Sequence, residues 1–64
     1  MINIESERWK VVSFQSTAIV TNKETGDTRY VELKRLPSAQ TLALLHETAF
    51  NREISKAFKE GEVP

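Results

Sequence analysis

Thr17-Ala18-Ile19-Val20-Thr21, then Asn22-Lys23-Glu24-Thr25-Gly26-Asp27, then Thr28-Arg29-Tyr30-Val31-Glu32-Leu33-Lys34: this run decides the fold. Its two flanks are rich in the β-branched and aromatic residues that favour strands, and the second alternates polar with apolar side chains. Between them lie turn formers, with Gly26 able to take a positive φ. A four-residue loop, Lys23 to Gly26, pairs Asn22 with Asp27. Val20 then faces Arg29, Ile19 faces Tyr30 and Ala18 faces Val31, so Ala18, Val20, Val31 and Leu33 collect on one side. A slip of one residue would set Ala18 against Glu32 and mix the two faces, which a half-buried sheet resists.

Reading backwards, residues 7–14 form a further strand, joined to 17–21 through Gln15-Ser16. That connection lacks the Gly or Asn favoured in two-residue hairpin turns. If it holds, Trp9, Val11 and Ser13 join the inner face, while Lys10, Val12 and Phe14 lie outside beside Ile19 and Tyr30. If the strand is slipped, Phe14 is core instead.

Reading forwards, composition changes at Leu36-Pro37-Ser38 from strand formers to Ala, Leu, Glu and Lys. Ser38 is suited to cap a helix over about 38–60, and Gly61 stands where its C-terminal cap belongs, with Pro64 beyond. Leu42, Leu45, Ala49, Phe50, Ile54 and Ala57 fall on one stripe at helical spacing. Such a rod is about 30 Å long and would overhang a small sheet. The expected fold is α+β: a three-stranded antiparallel meander with strands at about 7–14, 17–21 and 28–34, followed by one long amphipathic helix, all in a single domain of residues 1–64.

Sixty-four residues bury only about 60% of the surface exposed by the unfolded chain. With no cysteine and a single histidine, neither a disulfide nor a metal cage can staple the fold. Unusually good packing or burial against a second chain must supply the difference. No apolar run nears the roughly 20 residues of a membrane span, and Met1-Ile2-Asn3-Ile4-Glu5 is neither a signal peptide nor a myristoylation site. Lack of cysteine fits a reducing cytoplasm. Nine basic and nine acidic side chains give a net charge of zero, with a mild basic excess over residues 8–36. That balance argues against a dedicated duplex-DNA binder.

Catalytic chemistry has no candidate. His46-Glu47 begins the zinc motif His-Glu-x-x-His, but Phe50 stands where the second histidine should be. Two glycines cannot build a phosphate-cradling loop, and no nucleophile is set beside the lone histidine. No cofactor, membrane contact or small-molecule substrate is expected.

What remains is binding. Val12, Phe14, Ile19 and Tyr30 would form an apolar and aromatic patch rimmed by Arg8, Lys10 and Lys34, on a sheet face that is normally polar, and with Lys10 they make up the candidate partner-binding face. His46 and Glu53 flank Ala49 and Phe50 inside the helix stripe. They either sit at its wet edge or, with Phe50, meet another chain. The β-β-β-α order is similar to that of small DNA-reading domains such as the arm-binding domains of phage integrases. This likeness is one of element order and carries no residue across. It leaves an alternative in which Arg8, Lys10, Arg29, Lys34 and Arg35 serve nucleic-acid binding, with the outer aromatics stacking on bases. The leading expectation is a protein partner, with the chain acting as regulator or inhibitor of a larger complex. Self-association as a structural subunit is a further alternative. Very small, cysteine-free, charge-neutral cytoplasmic proteins of this kind often come from phage, prophage or plasmid genes, and a phage or prophage origin is the expectation here.

Overall fold

The computed structural model describes residues 2–64. Strands β1 (Asn3–Glu5), β2 (Trp9–Phe14), β3 (Thr17–Asn22) and β4 (Thr28–Glu32) precede helices α1 (Ala39–Leu44) and α2 (Glu47–Lys59). The sheet is antiparallel throughout, in the order β1-β2-β3-β4. The α+β class is as expected, but the sheet has four strands rather than three.

The central hairpin has the register that the apolar pattern requires: Ala18 pairs with Val31, Ile19 with Tyr30 and Val20 with Arg29. The loop is fixed by its own side chains. Asn22 Oδ1 accepts from the N–H of Glu24 and Thr25, and Gly26 takes φ 82°, a conformation that costs a side chain dearly and glycine little. The β2–β3 turn is two residues long, as the expected connection through Gln15-Ser16 requires, closed by Phe14 paired with Thr17. Gln15 supplies the positive φ, at 57°, which a non-glycine residue enters only where neighbouring pairing imposes it.

β1 was not expected. Residues 2–4 alternate apolar and polar over too few positions to signal a strand, yet Ile4 pairs with Val11 and Ile2 is core. β2, the strand expected over 7–14, consequently begins at Trp9 and not at residue 7. Ser6 makes the turn between β1 and β2: its Oγ accepts from the N–H of Trp9 and Arg8, and its own N–H donates to Trp9 O at 2.8 Å. Ser6 Oγ also lies 3.0 Å from Asn51 Oδ1 and so ties the turn to α2. β4 ends at Glu32, short of the expected Lys34. Residues Leu33–Arg35 form one tight helical turn that redirects the chain and buries Leu36.

The single long helix is the second correction. It breaks at Leu45 and His46, both in extended conformation. An unbroken helix of about 30 Å cannot keep both ends on strands about 17–20 Å long. α2 alone, at about 20 Å, matches them. With the chain extended at the break, Leu42 of α1 and Phe50 of α2 both enter the core. Ser38 caps α1 through Thr41 N–H, as its position implied. His46 caps α2, its Nδ1 accepting from Ala49 N–H at 3.4 Å, and is therefore not part of a continuous stripe.

The inner face and α2 enclose one core: Ile2, Trp9, Val11, Ala18, Val20, Val31, Leu36, Leu42, Phe50, Ile54 and Ala57. Ser13 is buried among them, and its Oγ accepts the Ile2 N–H. At one end Trp9 and Phe58 meet with ring centroids 5.0 Å apart, and the Arg29 guanidinium lies 4.8 Å above the Phe58 ring. Gly61 does not cap the helix through a positive φ. A Cβ there would lie 3.0 Å from Arg29 Cβ and Val31 Cγ2, so glycine is what lets the tail approach β4.

Candidate functional site

Alternation along three strands decides what the far side of the sheet carries. With Val11, Val20 and Val31 turned inward, Val12, Ile19 and Tyr30 must turn outward, and the register sets them side by side: Val12 opposite Ile19, Ile19 opposite Tyr30. Tyr30 exchanges both backbone hydrogen bonds with Glu62 on its other side, each 2.8 Å. Its pairing with Ile19 is thus of the non-hydrogen-bonded kind, which brings side chains closest. Phe14 closes the row's lower corner beside Thr17.

Nothing among the described residues covers this face. Phe14 is 63% exposed and Tyr30 45%, while Val12 and Ile19 are half-buried by their neighbours. The alternative in which Phe14 belongs to the core is thereby excluded. The polar frame consists of Lys10, Glu5 and Asn3 on one flank and of Thr17, Thr21, Thr28 and Glu32 on the other. Asn3 and Glu5 could not be placed there from sequence, because β1 itself was not legible.

The electrostatics are locally balanced. Lys23 Nζ binds the Glu5 carboxylate and also donates to Ser6 O at 3.0 Å. The hydrogen bond from Lys23, and then its charge, hold the Glu5 pKa below the ordinary carboxylate range. Arg8 pairs with Glu24 at 2.7 Å, outside the patch. Lys34 and Arg35 lie past the end of β4, 3.3 and 3.8 Å from Glu32. Arg29 projects to the inner side beneath Phe58 and does not join the outer surface. Of the five bases considered for nucleic acid, Lys10 alone stands on the open face.

The helix candidates scatter. Phe50 is core at 4% exposure, His46 is an exposed cap, and Glu53 is half-buried on α2. The structure does not bring them together as a surface. Among the described residues no cluster of His, Asp and Glu is assembled that could hold a metal, and no helix is long and apolar enough to cross a membrane. No family model, no curated protein and no solved structure matches this chain.

Proposed function

We propose that this chain is a non-enzymatic binding protein, acting as regulator or inhibitor of a larger complex, that docks a protein partner on its uncovered sheet face. The observation that carries the reading is Phe14 and Tyr30 standing exposed beside Val12 and Ile19 on one contiguous surface. A two-layer domain ordinarily presents polar residues on such a face. Exposed apolar clusters rimmed by polar groups are typical of interaction sites, and tyrosine is prominent among residues whose loss weakens an interface most.

The scale of the surface bears on the partner. Four strands about 4.8 Å apart and about 17 Å long present roughly 300 Å² in projection. A standard interface buries about 800 Å² per partner, so the partner must reach past the sheet onto flanking loops. Single-stranded nucleic acid is the weaker reading. It needs a positive groove beside the stacking aromatics, and four of the five bases are paired with carboxylates or turned inward. A cysteine-free chain suits a reducing compartment such as the cytoplasm.

The test is the double variant Phe14→Ala with Tyr30→Ala. It should stay folded by circular dichroism and thermal melting, and should lose the partner that wild type captures from its native host. Retained capture would overturn the sheet-face reading. Affinity for single-stranded DNA or RNA that falls steeply with salt would move the assignment to nucleic acid. A mass that changes with dilution would move it to self-association.

A further inference from the structure

The two edges of the sheet are finished differently. At β4 the segment after α2 pairs with the edge at its middle residue, Tyr30 and Glu62 exchanging two backbone hydrogen bonds. At β1 nothing does. Ser13 N–H donates to Ile2 O and Ser6 N–H to Trp9 O, so Ile2, Ile4 and Ser6 turn their backbone groups toward β2. Antiparallel alternation then directs the N–H and C=O of Asn3 and Glu5 outward, where they meet no partner among the described residues.

Beside this edge runs a groove of about 480 Å³, between β1 and the two helices. Ile4, Leu42, Leu45 and Phe50 supply its apolar lining, and Glu5 and Glu47 are the ionisable residues along it. Glu7 adds a third carboxylate close by, its N–H donating to Glu47 Oε1 at 3.4 Å. Lys23 offsets Glu5, which leaves Glu7 and Glu47 as a net negative end.

We propose that the β1 edge and this groove take an extended, basic segment of a partner protein as an added strand. The open backbone groups of Asn3 and Glu5 define a strand as occupant, since only another extended backbone matches their spacing. The pleat defines its side chains. The residue opposite Ile4 points to the inner side, into the groove against Leu42 and Leu45, and must be apolar. The end running past Glu5, Glu7 and Glu47 must carry lysine or arginine. A three-residue edge limits the contact to a short segment and discourages open-ended pairing. The site is the sheet's rim and not its uncovered face, so the inference stands apart from the sheet-face reading.

The test is an NMR titration of the ¹⁵N- and methyl-labelled full chain with the blocked peptide Lys-Leu-Lys-Val-Lys. The amides of Asn3 and Glu5 and the methyls of Leu42 and Leu45 should shift saturably. Phe14 and Tyr30 should stay still. Glu47→Lys, a surface change that spares the core, should weaken binding by about threefold, and Phe14→Ala with Tyr30→Ala should leave it unchanged. Lys-Pro-Lys-Pro-Lys, with the same charge but unable to pair as a strand, should not bind. Equal binding of Glu-Leu-Glu-Val-Glu would overturn the proposal, as would shifts confined to Phe14 and Tyr30 or none at millimolar peptide. Dilution-dependent shifts of Asn3 and Glu5 without peptide would also overturn it, by giving the edge to a second copy.

Discussion

The two faces of this sheet are built from the same strands and differ by one residue of register, yet they have opposite fates. Inward, Val11, Ala18 and Val20 are fully buried, and Val31 nearly so. Outward, Val12 and Ile19 are only half-buried, and Phe14 is largely open to solvent. Side-chain type does not separate the two sets: valine and an aromatic ring occur on each. What separates them is that α2 lies over one face and, among the described residues, nothing lies over the other. Apolar character on the inner face is required for folding, whereas on the outer face it adds little to the isolated domain.

That contrast can be broken by substitution, and the largest effect belongs inside. Ile54 presses on the inner face with no solvent exposure, and Ile54→Ala should cost about 3 kcal/mol in chemical denaturation. A domain of this size has little stability to lose, so the variant should be largely unfolded. If it melts like wild type, the core is not where α2 places it.

Ser13→Ala is a finer probe of the inner side. It leaves the Ile2 N–H buried without its acceptor, at about 1 kcal/mol. The loss should concentrate in β1, seen as faster amide exchange at Ile4 while β3 and β4 stay protected. Uniform acceleration would mean that β1 is not a separable addition to the meander.

On the outer side, Phe14→Ala and Tyr30→Ala should each change stability by less than about 0.5 kcal/mol. A loss of several times that value would make these residues structural and remove the contrast.

The smallest effect is electrostatic. Because Lys23 depresses the folded-state pKa of Glu5, the pair contributes stability above the carboxylate's unfolded pKa and loses it as pH falls through the folded one. Lys23→Met should therefore be slightly less stable than wild type at neutral pH, and the titrating part of the difference should vanish on acidification. Both side chains are substantially exposed, so salt should shrink it too. A gap that widens in acid would mean that Lys23 acts through packing rather than charge.

How much was legible follows from these same residues. The pairing of Ile19 with Tyr30 could be read because period-two alternation makes any slip invert both faces. The exposure of Phe14 hung on Gln15-Ser16 forming a tight turn, and Gln15 does so by adopting a backbone conformation that its type rarely takes. β1 was hidden because three residues carry no period. They become a strand only because β2 offers an open edge and Ser13 an acceptor for Ile2. Phe50 lay on the helix stripe and is core, as that stripe implies, so its candidacy for a partner surface had no room. Arg29 was grouped with the candidate bases by charge alone; its pairing with Val20, already legible in the register, sets it on the inner side against Phe58.

The sequence by itself determined the register of the β3–β4 hairpin, the turn at Gly26, the Ser38 cap and the inward apolar residues of β3 and β4. Each of these depends on neighbours within a few positions or on a fixed period. Only the tertiary structure decided the break at Leu45 and His46, the seating of Gly61 against β4 and the difference between the two sheet edges. No local rule ends a helix between Leu44 and Glu47, where neither proline nor glycine intervenes. The strand length does, because a helix earns its burial only over the sheet beneath it.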